Sequence, residues 1–84
     1  MKGENMENRV EEILREIMEL DDDQVLTDDM SAESLEEWDS LASMQIVLTL
    51  EKEYAVKFDY DEIISMETIG DIKRVLANKL EKKE

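Results

Sequence analysis

Asp39, Ser40 and Leu41 stand where an acidic stretch gives way to an apolar one. Ser40 is the residue there whose side chain suits covalent chemistry. A serine oxygen acts as a nucleophile only with a base within hydrogen-bond reach. The chain has no His and no Cys, which removes imidazole acid–base catalysis, thiolates, disulfides and the common zinc sites. A Ser–Lys pair is left, but Lys52 lies about three helical turns away. Ser40 therefore reads as an acceptor. At a helix N-terminus, free N–H groups and the helix dipole stabilise an anion, so a covalent phosphate suits it. The surrounding acid opposes that phosphate, yet offers a basic modifying enzyme a docking address. Ser43, three residues on, falls on the core-facing half of a helical wheel and reads as structural.

The elements that place Ser40 follow from periodicity. Val10, Ile13, Leu14 and Ile17 share one helical face, predicting helix 1 from about Glu4 to Glu19. The stretch "LDDDQVLTDDMSAESLEEWD" keeps no period and reads as a long loop, with a turn of helix near Ser31 to Glu36. A loop of about twenty residues is unusual unless it has a job. Val25, Leu26, Met30, Leu35 and Trp38 are expected to pin it to the core. Helix 2 starts at Asp39 or Ser40, either of which can cap it, and runs to about Tyr54. "AVKF" reads as an extended link. Asp59 with Glu62, and Thr68 with Asp71, are capping signals for a short helix 3 ("DYDEIIS") and for helix 4. Helix 4 has the apolar set Ile69, Ile72, Val75, Leu76 and Leu80. The last residues, 81–84, are expected to fray. The expected fold is all-α: one small four-helix bundle over residues 1–84, core about 5–80, with three main helices, a short third helix and a long loop between helices 1 and 2.

Helix 2 carries two apolar stripes. Ile46, Val47, Leu50 and Tyr54 form one; Leu41, Met44 and Leu48 form another. One stripe suffices to seat a surface helix. The second means either that helix 2 is buried over most of its girth, or that Leu41, Met44 and Leu48 form an exposed patch for partners.

The charge map sharpens the picture. The chain has 24 acids, 10 bases and a net charge of −14. Residues 21–40 hold nine of the acids and no base, while residues 41–58 are neutral. This field repels nucleic acid and anionic lipid and favours basic protein surfaces. Apolar residues make up 42% of the chain, enough for a core. The most apolar stretch, Ile46 to Leu50, is too short to span a membrane, and nothing reads as a signal peptide. A cytoplasmic monomer without membrane insertion is expected; lack of cysteine suits a reducing compartment.

"DSL" at Asp39 to Leu41, after an acidic loop, resembles the modification site of the acyl carrier protein family. "LEKEYAVKF" resembles the end of that family's second helix and its following link. "DEIISMETIGDIKRVLANKL" resembles its third and fourth helices. The likeness spans about Asn8 to Leu80. It implies that Ser40 receives 4′-phosphopantetheine from coenzyme A through a separate phosphopantetheinyl transferase (the holo-acyl-carrier-protein synthase) using magnesium. The thiol of that arm would carry acyl groups as thioesters, which fits a chain with no cysteine of its own. The protein would be a shuttle and not an enzyme. A cleft between helices 2 and 3 would shelter the acyl chain, lined by Met44, Val47, Ile63, Ile64 and Ile69. Asp39, Leu41, Met44, Leu48, Glu37 and Glu51 would meet acyl-transferring and acyl-modifying enzymes through their basic docking surfaces.

Several positions depart from the fatty-acid-synthesis members. Trp38 stands where they have a small residue, and reads as packing down the loop or as part of a partner surface. Ala42, Gln45 and Lys52 occupy positions where those members carry acids on helix 2. Tyr60 and Ile64 do the same in helix 3. A peptidyl or aminoacyl carrier stays open, although the glycine-rich run those often have before the serine is missing. So does an acidic helical adaptor without a cofactor. A calcium loop of the EF-hand type does not fit. Starting at Asp21, its fifth, sixth and twelfth positions are Val25, Leu26 and Ala32; starting at Asp59, its fifth is Ile63.

These departures point to a carrier dedicated to one pathway, of polyketide-like, peptide-like or glycan- and lipid-acylating type. The loaded protein is then expected to be a poor substrate for general fatty-acid elongation enzymes. Efficient elongation in a reconstituted assay would overturn that reading.

Overall fold

The structure, a computed structural model, describes residues 5–82 of the chain. Four helices follow one another: α1 (Met6–Met18), α2 (Ser40–Tyr54), α3 (Tyr60–Ile64) and α4 (Ile69–Lys82). The all-α expectation, with one short third helix and one long loop, describes this architecture. Two boundaries differ. Helix 1 was expected from Glu4, but Asn5 caps it, accepting from the Asn8 N–H at 2.8 Å; Glu4 lies outside the described residues. The chain end expected to fray from residue 81 is still helical through Lys82, and residues 83–84 lie outside the described ones.

Each long helix turns one face inward. α1 buries Val10, Ile13, Leu14 and Met18, with Ile17 only half-buried at the edge. α2 buries Ala42, Ile46, Val47 and Leu50. α4 adds Ile69, Ile72, Val75 and Leu76. Leu26, Leu35, Trp38 and Phe58 close the core from the connections. No charged or polar residue among the described ones is buried.

Charge ties the helices at the surface. Arg9 of α1 meets Glu53 of α2 through Nε at 3.0 Å and Nη2 at 3.3 Å. It also holds Glu12 at 3.1 Å. Those hydrogen bonds raise the Arg9 pKa above its ordinary value. The fork geometry keeps α1 and α2 in register.

The long loop, residues 19–39, is docked on the start of α4. The Asp28 carbonyl accepts from the Gly70 N–H at 2.8 Å, and the Met30 carbonyl from Ile69 at 3.0 Å. A lone antiparallel bridge joins Ser31 to Thr68. Where α4 begins, Thr68 Oγ1 accepts from the Asp71 N–H at 3.1 Å while Asp71 Oδ2 accepts from the Thr68 N–H at 3.2 Å. The first N–H groups of a helix lack intrahelical partners; here the loop and the Thr68–Asp71 box supply them. Lys73 fastens the same joint, reaching Glu11 of α1 at 2.9 Å and Asp28 of the loop at 2.8 Å. Burial works against its ammonium, but the bonds to Asp28 and Glu11 outweigh it, so its pKa is raised. Its contribution is therefore complete below the unfolded lysine value, about 10.4, and is lost only as pH climbs through the folded one.

Of the residues expected to pin the loop, Leu26, Leu35 and Trp38 are buried and Met30 packs at the core's edge. Val25 does not pin anything: it is 70% exposed. Arg15 takes over at that point, donating to the Gln24 carbonyl from Nη2 at 3.0 Å. The expected turn near Ser31 is present, closed by Ser34 and Leu35 N–H groups on the Ser31 carbonyl.

Gly70 is dictated by this docking. A Cβ there would stand 3.0 Å from Asp28 Cβ and 3.1 Å from the Asp28 carbonyl oxygen. Glycine-to-alanine changes inside helices usually stabilise by about 0.5–1 kcal/mol. Gly70→Ala is expected to do the opposite, by about 1 kcal/mol, because Asp28 cannot retreat without loosening its bonds to Gly70 and Lys73. Thermal unfolding checks this; a raised Tm would show that the loop gives way freely.

Candidate functional site at the start of α2

The chain turns into α2 at Asp39, whose extended backbone and side chain form the N-cap: Oδ1 accepts from the Ala42 N–H at 2.9 Å. Its carbonyl accepts from the Ser43 N–H at 2.9 Å. Of the two caps the sequence allowed, Asp39 is therefore the cap and Ser40 the first helical residue. The N–H groups of Ser40 and Leu41 are left without intrahelical partners. Ser40 itself is exposed. Its oxygen can thus take a substituent that projects into solvent, with two free N–H groups and the positive end of a 15-residue helix behind it. That environment fits a phosphodiester.

The residue before the cap is held just as firmly. The Trp38 ring is buried, 5% exposed, and its Nε1–H donates to Ser43 Oγ at 3.0 Å. Of the two readings of Trp38, packing is what the structure shows. Ser43 was expected on the core-facing half of the helix; its side is exposed instead, and its structural role is to receive the indole. Sequence reasoning did not find this bond. A tryptophan just before a capping aspartate, with a hydroxyl five residues on, is the signal that carries it.

α2 presents one of its two stripes to solvent. Leu41 is 66% exposed and Met44 and Leu48 are each 55% exposed, so the helix is not buried around its girth. Ile64 and Tyr60 of α3 are exposed as well. Gln45 and Lys52 face outward beside the stripe, whereas Ala42, grouped with them in the sequence, is buried and contributes nothing to an outer face. Glu37 is exposed. Glu51 is half-buried, with Oε2 accepting from the Phe58 N–H at 2.9 Å; one oxygen of this expected contact residue shapes the α2–α3 link.

The residues expected to line an acyl cleft are spread over depth. Val47 and Ile69 are closed inside the core, Ile63 packs against it, and Met44 and Ile64 stand on the surface. Among the described residues no cluster of three acids is arranged to hold a metal ion, and no helix is long and apolar enough to cross a membrane.

Residues 8–76 match the family model described as the phosphopantetheine attachment site. Among solved structures, a holo acyl carrier protein from Geobacter metallireducens superposes with a TM-score of 0.81 at 30% identity, over 90% of this chain and 86% of that one. A Mycobacterium tuberculosis protein assigned by name as an acyl carrier protein gives a TM-score of 0.80 at 22% identity, over 88% of this chain and 97% of that one; at that identity it shows the shared fold. No curated protein sequence matches the chain. The matching domain attaches 4′-phosphopantetheine, a task served by a phosphopantetheinyl transferase and used by partner enzymes, and its members are carriers rather than enzymes. With a family match over residues 8–76 and a fold shared with a 30%-identical holo carrier, the chain belongs to the phosphopantetheine-bearing acyl carrier protein family.

Proposed function

We propose that the chain carries acyl groups as thioesters on a 4′-phosphopantetheine arm attached to Ser40, and presents them to enzymes that dock on α2. The observation that carries this is the exposed Ser40 hydroxyl at the first position of a capped helix, inside a phosphopantetheine-attachment domain. Ser40 Oγ would take the phosphopantetheinyl group from coenzyme A on the transferase, losing its proton and releasing adenosine 3′,5′-bisphosphate. The thioester thiol belongs to the arm, since the chain has no cysteine. An acyl cargo is favoured over a peptidyl one by the likeness to a holo acyl carrier protein.

The surface supports a two-part address. The loop before Ser40 supplies acid, including Glu37 and Asp39, to meet a basic partner. The α2 face supplies Leu41, Met44 and Leu48, exposed apolar side chains that a partner can bury. Gln45 and Lys52 stand beside this stripe without adding negative charge, so the face selects partners that read shape and apolar contact. That is the feature that fits a carrier for one pathway.

Intact mass after incubation with coenzyme A, magnesium and a broad-specificity transferase tests the attachment. A gain of one phosphopantetheine, lost in Ser40→Ala, is expected. A folded protein that gains nothing would return the adaptor reading to the front.

Asp39 has two separable duties, as cap and as docking charge. Asp39→Asn keeps a capping oxygen and removes the charge, so it is expected to leave Tm nearly unchanged while raising KM for the transferase. Asp39→Ala should in addition lose about 1 kcal/mol of stability. An Asp39→Asn variant loaded at the full rate would show that the charge is not part of the address.

A further inference from the structure

In a chain with 24 acids, a base readily finds a carboxylate. Arg9, Arg15, Lys73, Arg74 and Lys79 each hold one. Lys52 and Lys57 are exposed, and among the described residues neither has an acid as partner. Both stand on the walls of one hollow of about 600 Å³ at the far end of α2, with Leu48, Ala55 and Val56 as its apolar walls. By the measure of small-molecule sites, ~300–1,000 Å³, it has room for an apolar side chain. Lys52 has one structural use, since a cation in the last turn suits the helix dipole. Lys57 stands beyond the cap and has no such use. The acids nearest to them on α2 are engaged elsewhere. Glu51, also on the wall, gives Oε2 to the Phe58 N–H at 2.9 Å, and Glu53 is held by Arg9.

A second observation marks the same hollow. Ala55 closes α2 in the left-handed region, with φ 54° and ψ 49°. Among the described residues, Glu19 is the other non-glycine residue with a positive φ. Glycine is the usual residue at such a helix end, because a Cβ is crowded in that conformation. The Ala55 methyl therefore works against the fold, and it lines the hollow.

Continuity says what covers it. Leu48 belongs both to the hollow and to the exposed Leu41–Met44–Leu48 stripe. The 15 residues of α2 rise about 22 Å, so a protein laid along the stripe from Ser40 reaches the hollow. That span exceeds twice the Debye length of about 8 Å at physiological salt, so Glu37 and Asp39 are screened from Lys52 and Lys57.

We propose that an enzyme taking this carrier's cargo grips α2 at both ends. Its basic surface meets Glu37 and Asp39, and an acidic segment meets Lys52 and Lys57 while placing an apolar side chain in the hollow between them. The proposal rests on the reading that partners dock on α2. Opposite charges at the two ends fix which way round the partner lies, so that its active site faces Ser40. An enzyme that is basic along its whole docking surface would meet like charge at Lys52 and Lys57, which turns it away.

The test uses isotope-labelled protein loaded enzymatically, with its single phosphopantetheine certified by mass. Two probes are titrated at physiological salt: a short synthetic amphipathic peptide of leucine and glutamate, and its twin of leucine and lysine. The glutamate peptide is expected to shift the amide resonances of Lys52, Ala55, Val56 and Lys57, and the lysine twin those around Glu37 and Asp39. Lys52→Gln and Lys57→Gln are each expected to weaken the glutamate peptide several-fold. Arg74→Gln removes the same single charge away from these walls and is expected to leave its affinity in place. Ala55→Gly is expected to raise Tm while weakening the peptide, a pairing that a merely structural residue would not give. A loaded protein that ignores the glutamate peptide, or loses it equally in Arg74→Gln, overturns the far-end address alone. Shifts at the hollow from dodecanoate and not from the peptide would make it a site for a free fatty carboxylate. Shifts there that grow with protein concentration alone would make it a contact with a second copy. Either result overturns the proposal. If neither peptide moves a resonance on α2 or on the acidic residues before it, docking on α2 falls, and this address with it.

Discussion

The docking of the long loop on the N-terminus of α4 is the constraint from which the site follows. A loop of this length has no period of its own and would carry unpaired backbone groups into any buried path. Here its carbonyls at Asp28 and Met30 meet the N–H groups of Gly70 and Ile69 that α4 would otherwise leave open. Two shortages cancel each other. Lys73 closes the joint between α1, the loop and α4. With the loop held at residues 28–31, the remaining residues to the cap have a fixed path, and Leu35 and Trp38 fall into the core.

Trp38 and Asp39 then convert that path into a defined helix start. The indole is held by Ser43, and the carboxylate by the Ala42 N–H. Ser40 is thereby exposed at a capped helix start, with the Trp38 indole and the Asp39 carboxylate already engaged and the Ser40 and Leu41 N–H groups open. A group that must be recognised by a modifying enzyme, and must later swing a long arm, gains from such a start.

The charge of −14 is divided between two duties. Acids at Glu11, Asp28, Glu53 and Asp71 are tied to Lys73, Arg9 and Arg74 and hold the fold. Asp71 also serves the α4 cap; its bond to Arg74 draws its pKa below the ordinary carboxylate value despite partial burial. That contribution is present above the unfolded carboxylate value, about 3.9, and fades as pH falls through the lower folded one. Glu37 and other loop acids face water and shape the field that an approaching enzyme meets. The neutral, apolar outer face of α2 lies beyond them.

Much of this was legible from local rules. Periodicity set the helices, because a 3.6-residue repeat has one solution. Capping pairs such as Thr68 with Asp71 set their starts. The absence of His and Cys made Ser40 read as an acceptor and not as a self-activated nucleophile. Other features depended on neighbours far apart in sequence. A helical wheel showed two stripes on α2, but which one faced the core depended on where α1 and α4 lay; Leu41, Met44 and Leu48 proved to be outside. It placed Ser43 inward, where the structure exposes it, and the family resemblance grouped Ala42 with Gln45 and Lys52, where the structure buries it. Val25 looked like a pin because it is apolar, yet the loop's path passed it on the water side. The need for glycine at position 70 was invisible until Asp28, 42 residues earlier, came to lie against it. Local spacing determined the helices, narrowed the α2 cap to Asp39 or Ser40, and marked Ser40 as the candidate acceptor. Long-range packing alone decided which faces are open, because exposure is a property of what covers a residue and not of the residue itself.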